Sequence, residues 1–182
     1  MEHPSHFNLN FDYPDGAALA RRYPYMFDKP HIGFEFYRGW QPILAGVCVA
    51  LDDLFKAEVG PDYDGFAWRQ IKEKFGSARF YYQLVGPENE TSRIILLDRS
   101  QSPCRNPADW DELSSTVDEL VSAGEAATHT ACMACGAKAE QGRGPGWITT
   151  LCDEHRFYVS KGINAERSSK FWEWVHLPGV PT

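Results

Sequence analysis

Phe66-Ala67-Trp68-Arg69-Gln70-Ile71-Lys72-Glu73-Lys74-Phe75-Gly76-Ser77-Ala78-Arg79-Phe80-Tyr81-Tyr82-Gln83-Leu84 is the stretch on which the fold turns. It alternates with period two on both sides of Gly76-Ser77, the pattern of two antiparallel strands joined by a tight turn. In the first strand Ala67, Arg69 and Ile71 are expected on one face, with Phe66, Trp68 and Gln70 on the other. In the second, Ala78, Phe80 and Tyr82 alternate with Arg79, Tyr81 and Gln83. Such a hairpin is not stable alone and needs another layer over its apolar face.

That layer is legible on either side. Trp40, Ile43, Leu44, Val47, Cys48, Leu51, Leu54 and Phe55 recur at helical spacing and form one apolar stripe. Pro42 suits the first turn, where no amide donor is needed, and Gly60-Pro61 ends the helix. Downstream, Ile94–Leu97 reads as a third, short strand. Asn106-Pro107 supplies an N-cap followed by proline, and Trp110, Leu113, Val117, Leu120 and Val121 form a second stripe reaching Ala127. The expected class is α+β: a small antiparallel sheet packed on two amphipathic helices. Residues 1–38 read as an irregular N-terminal arm, with a short helix over Asp15–Arg22 capped by Asp15. Residues 39–128 form the core, 129–161 a small module, and 162–182 a tail. Phe171, Trp172, Trp174 and Val175 suggest that the tail is a short helix docking back onto the domain, the alternative being an exposed apolar patch for a partner.

The module carries the chemistry. Cys132-Met133-Ala134-Cys135-Gly136 is followed by Cys152-Asp153-Glu154-His155, with sixteen residues between Cys135 and Cys152. Zinc takes four soft or borderline ligands in a tetrahedron, and each pair here supplies two from one local turn. Gly136 can take the backbone angles that close the first knuckle. The three-residue spacing of Cys152 and His155 places both at the first turn of a helix, whose N-terminus also favours a thiolate. Gly142 to Gly146 and Trp147 to Thr150 supply a loop and strand between them. Knuckle, hairpin and helix start together make a treble-clef or ribbon-like module holding one structural Zn2+ per chain through Cys132, Cys135, Cys152 and His155. Of the other cysteines, Cys48 sits on the apolar stripe. Cys104 falls on a loop beside Arg105 with no patterned base near it, and His129 caps a helix end or faces solvent.

Composition narrows the function. The chain has 182 residues, 18 basic against 25 acidic, a net charge of −7 and 14% aromatic residues. It is long enough for one cored domain and too acidic for a broadly basic, nucleic-acid-coating surface. Met1-Glu2-His3-Pro4-Ser5-His6 has no basic n-region, and the apolar run Ile43–Leu51 falls well short of the roughly 20 residues of a membrane span. A soluble, cytoplasmic chain without a membrane role is expected. An odd number of cysteines, five in all, with CxxC spacing suits metal better than a disulfide framework. No phosphate-binding GxxxxGK[ST], nucleophile GxSxG or zinc-protease HExxH occurs, so binding rather than catalysis is expected.

Charge is unevenly spread. Residues 66–86 carry Arg69, Lys72, Lys74 and Arg79 against Glu73 alone, between two acidic blocks. Lysines on an edge strand discourage wrong pairing. The same four cations, with Trp68, Tyr81 and Tyr82, would also make a docking strip.

Three blocks together resemble an uncharacterised family of small bacterial and phage proteins with a KFG-x-LRFY-like hairpin and a C-terminal CxxCG…GW…LCxxH zinc motif. They are Gly39-Trp40 leading into Pro42-Ile43-Leu44, Ile71 to Tyr81, and Cys132-x-x-Cys135-Gly136 with Gly146-Trp147 and Thr150-Leu151-Cys152-x-x-His155. Ala78 stands where the pattern has Leu. The resemblance implies zinc and a bacterial or phage setting, and no particular activity. The reading that follows is a zinc-stabilised protein-binding module, such as an immunity or inhibitor protein that neutralises a toxin or enzyme. The alternatives are a nucleic-acid-binding zinc protein, with Lys138, Arg143 and Arg156 adding charge, and a metalloenzyme with an exchangeable ligand.

Overall fold

The computed structural model describes residues 16–27, 33–86, 107–143, 146–160 and 165–177. In chain order the elements are helices α1 (Gly16–Arg22) and α2 (Pro24–Phe27), strand β1 (Gly33–Tyr37) and a 3-10 turn at Arg38–Trp40. Helix α3 (Gln41–Glu58), strands β2 (Phe66–Lys74) and β3 (Ser77–Leu84) and helix α4 (Pro107–Thr128) follow. The chain continues with strands β4 (Glu140–Arg143) and β5 (Ile148–Leu151), helices α5 (Asp153–Ser160) and α6 (Ala165–Val175), and strand β6 (His176–Leu177). The class is α+β, as the sequence predicts.

Both amphipathic helices form where the stripes place them. Pro42 falls in the first turn of α3, and Leu44, Cys48, Leu51 and Phe55 are buried along its inner side. Leu113, Val117 and Val121 do the same for α4. Gly124 brings the two helices together, since a Cβ there would fall on Val47. Helices α1 and α2 add Leu19, Tyr23, Met26 and Phe27 to the same core. Each fully buried Leu or Phe contributes about 1.5–3 kcal/mol. Asp52, on the outer side of α3, accepts the Tyr25 hydroxyl at 3.0 Å and pairs with Lys56 at 2.6 Å.

The sheet differs from expectation in three ways. It is mixed, with strand order β3-β2-β1-β6. Strand β1 runs parallel to β2, with Phe34 opposite Ile71, so residues 33–37 of the supposed irregular arm are an inner strand. Strand β6 pairs antiparallel with β1, Phe36 opposite Leu177, and brings the tail into the sheet. Pairing within the hairpin steps from Trp68–Tyr82 to Gln70–Tyr81, which leaves Arg69 as a bulge. One extra residue inverts the alternation beyond it. Phe66, Trp68 and Ile71 are therefore buried while Arg69 is exposed, correcting the placement of Arg69 and Ile71 on one face. Strand β3 alternates as predicted.

Helix α4 also closes the free edge of β3. The Ala78 amide donates to Thr128 Oγ1 at 2.9 Å, the Phe80 amide to Glu125 Oε1 at 2.6 Å, and the Tyr82 hydroxyl to Asp118. An edge that would otherwise present open donors is satisfied by one helix face. The third strand expected at Ile94–Leu97, the caps Asp15 and Asn106, and Cys104 lie outside the described residues.

Candidate metal centre

The chain leaves α4 at Thr128 and turns at once into the first knuckle. Ala131 bridges Lys138, the Cys132 amide donates to the Ala137 carbonyl at 2.8 Å, and the Gly136 amide donates to the Cys132 carbonyl at 2.8 Å. Gly136 sits at φ 76°, the left-handed region that a Cβ resists. The second pair is held by the β4–β5 hairpin and α5. The Arg156 amide donates to the Cys152 carbonyl at 2.8 Å, closing the first helical turn with Cys152 at its cap and His155 inside it. The two halves are then sewn together. The Met133 amide donates to the Thr150 carbonyl at 2.9 Å, and the Thr150 amide meets the Met133 sulfur at 3.3 Å.

The result is a cluster in which the donor atoms of Cys132, Cys135, Cys152 and His155 all lie within 4.8 Å of one another. Cys135 Sγ is 3.9 Å from Cys152 Sγ, and His155 Nδ1 is 3.6 Å from Cys132 Sγ and 3.1 Å from Cys152 Sγ. A zinc tetrahedron of thiolates and imidazole has edges of about 3.5–3.8 Å, so the donor set suits such an ion in type and number, and these three spacings fall near those edges. Nδ1 is the nitrogen turned to the sulfurs. Cys132 and His155 are buried, and the cysteines carry no disulfide.

Without the ion, one thiol of the three is drawn toward the ligating thiolate and two are held as thiols. Cys132 is drawn down, chiefly because the Cys135 thiol hydrogen-bonds to its sulfur; burial opposes this, while His155 and nearby amides reinforce it. Cys135 is pushed up first by donating that bond to Cys132 and then by burial, and Cys152 is pushed up chiefly by burial. A bound divalent cation would displace those protons, coupling affinity to pH.

The centre is seated against the core. The Gly39 amide donates to the Met133 carbonyl and Trp40 Nε1 to the Ala131 carbonyl, each at 2.8 Å. Thr150 Oγ1 donates to the Gly76 carbonyl at 2.5 Å, and Gln141 Nε2 to the Phe75 carbonyl at 2.6 Å. The three blocks quoted from the sequence (Gly39-Trp40, the hairpin turn and the Cys/His motif) therefore meet at one place. Helix α6 covers the other side. Phe171 and Trp174 lie 5.8 and 6.2 Å from the His155 ring, Trp172 packs on Trp147 at 4.7 Å, and Val175 is buried. Arg38 reaches over Trp174 and donates to its carbonyl at 3.2 Å.

The remaining candidates separate. His129 is exposed and outside the cluster. Cys48 is fully buried, which pushes its thiol up to about 12. Trp68 is 0% exposed, its indole turned to the Cys48 sulfur in the core, and contributes nothing to a surface strip. Tyr82 is half-buried and tied to Asp118. Arg69, Lys72, Lys74, Arg79 and Tyr81 do share the solvent side of the hairpin, with Lys72 opposite Arg79 and its ammonium 5.1 Å from the centre of the Tyr81 ring. Arg156 is spent on the backbone, donating to the carbonyls of Glu140 at 2.5 Å and Leu151 at 3.0 Å.

The hairpin turns at Phe75-Gly76, one residue earlier than the Gly76-Ser77 expected from the sequence, and so carries an aromatic at its tip. Phe75 is 63% exposed and has φ 54°, a conformation a bulky residue rarely takes. Its signal was present: a large aromatic standing where a two-residue turn wants Asn or Asp before Gly76. Among the described residues no helix is long and apolar enough to cross a membrane. Compared with models of known families, with curated proteins and with solved structures, the chain gives no match.

Proposed function

We propose that this chain is a zinc-stabilised protein-binding module, of the immunity or inhibitor kind, acting in the cytoplasm of a bacterium or in a phage setting by covering a surface of a toxin or enzyme. The observation that carries this is Phe75. A backbone strained toward the left-handed region costs on the order of 1–3 kcal/mol, and such strain is kept where it serves a site. Here it holds an aromatic ring out in water at the tip of a hairpin. Both carbonyls of that turn are gripped by the β4–β5 hairpin of the metal module. A rigid, exposed aromatic on a fixed support is the form of an interface anchor. Four protein donors fill a zinc tetrahedron, which supports a structural ion over a catalytic one with an open position.

The test is native mass spectrometry of the tagged protein drawn from nuclease-treated host lysate, beside Phe75→Gly. The expected result is one zinc per chain and a stoichiometric protein partner that the variant loses. A partner held only when nuclease is omitted would move the reading to nucleic acid. A zinc-bearing chain that binds nothing in either form would overturn it.

A further inference from the structure

Resting on that binding-module reading, the inference concerns the chemistry of the partner. We infer that the solvent side of the β2–β3 hairpin, running from Arg69 to the Phe75 tip, takes an acidic segment of a partner protein. Arg69, Lys72, Lys74 and Arg79 gather there on a chain whose net charge is −7. Among the described residues none of the four is ion-paired; their contacts are with neutral groups, Arg69 donating to Gln83, Lys72 to Gln70 and Arg79 to Ser77 and the Ala78 carbonyl. Lys72 and Arg79 stand directly opposite each other across the strands, a like-charge pairing that weakens a sheet. Edge protection does not require this arrangement, because the free edge of β3 is already closed by Thr128 and Glu125. Two exposed rings lie among the cations: Tyr81, with Lys72 over it at 5.1 Å, and Phe75, with Lys74 at 5.4 Å.

Two carboxylates lie near the strip, one on its solvent side and one turned into the hairpin's own turn. Glu35 is opposite Lys72 in β1, and Glu73 is turned to the Gly76 amide, which it accepts at 2.6 Å. A nucleic-acid strand fits less well. Asp111, Glu112, Asp118 and Glu119 are exposed on α4, the helix that lies along β3, and would repel a polyanion extending past the strip. A short acidic peptide segment ends before it meets them.

The test uses full-length, zinc-loaded, isotope-labelled protein titrated with a short Glu/Leu peptide, and separately with a single-stranded oligonucleotide of equal charge. Expected are amide shifts confined to β2, β3 and their turn, and an affinity that falls as salt rises. The double variant Lys72→Glu/Lys74→Glu should weaken peptide binding about tenfold or more. Phe75→Gly should weaken it comparably while leaving thermal stability equal or higher, since Gly takes the turn without strain. A purely structural Phe75 would not give that split. Peptide shifts mapping elsewhere, no peptide binding, or tighter oligonucleotide binding on the same residues would each overturn the acidic-segment inference. If the peptide fails but Phe75→Gly still loses a captured protein partner, the module reading stands and only the partner chemistry falls. If Phe75→Gly keeps that partner, the module reading falls too.

Discussion

Gly39 and Gly136 pack backbone against backbone. A Cβ built on Gly39 would lie 2.6 Å from the Gly136 nitrogen and 2.7 Å from that of Cys135, and one on Gly136 would lie 2.8 Å from the Gly39 carbonyl oxygen. The metal knuckle thus rests directly on the turn that launches α3, with no side chain between. A module too small to hold a core of its own borrows one: Trp40 is fully buried and hands its indole proton to the knuckle.

Gly39→Ala should therefore act on the metal as well as on the fold. Real Cβ contacts do not occur at these distances, and the neighbours are backbone that cannot swing away. A loss of about 1–3 kcal/mol is expected by urea denaturation, with faster zinc loss to a chelator. Gly46 in α3 is the control, since a Cβ there meets nothing within 4 Å. Gly46→Ala should gain about 0.5–1 kcal/mol from helix propensity.

Metal removal should reach the hairpin tip. The contacts from Thr150 to Gly76 and from Gln141 to Phe75 hold the strained turn from the module side. Cys135→Ser, or chelation of the wild type, should abolish the single bound zinc, measured by elemental analysis. It should also speed amide exchange at Phe75 and Gly76 ahead of that in α3. Zinc found in the variant at wild-type level would dismiss this ligand set.

Thr128 offers a cleaner measure of one bond. Its hydroxyl accepts the Ala78 amide at 2.9 Å and donates to the Glu125 carbonyl at 2.6 Å, with the residue fully buried. Thr128→Val keeps the shape and strands the amide. The expected cost is about 1–3 kcal/mol by chemical denaturation, with zinc content unchanged.

Helices α3 and α4, the β3 alternation and the Cys/His cluster were legible because each is a local pattern, repeated over several turns or fixed by short spacing. Helix α2, four residues long, fell in the stretch read as irregular. Strand β1 was not, because its parallel partner β2 begins almost thirty residues later and nothing within Gly33–Tyr37 names it. Strand β6, two residues long, has no period to read. The bulge at Arg69 is set by what lies opposite, so the alternation inverted without local warning. Trp68 was misplaced on the strip for the same reason that the strip was visible: charge is read along the chain, and burial only across it.

Alkaline pH should destabilise the fold in a defined window. Burial pushes the Cys48 thiol up to about 12. It likewise raises Tyr25, beside Asp52, and Tyr37, near Glu73 and Glu35. In the unfolded chain these groups ionise near about 8.5 for Cys and 10 for Tyr. The folded state keeps protons that the unfolded state has released, so their contribution is whole below about 8.5 and declines as pH rises toward 12. With zinc held saturating, denaturant midpoints measured from pH 7 to pH 11 should fall above about 8.5 and more steeply above about 10. Cys48→Ala should flatten the first part of that decline, at the cost of a lower midpoint throughout from the space it leaves. A profile with the same slope in both proteins would mean that Cys48 ionises freely, and so is not sealed in the core.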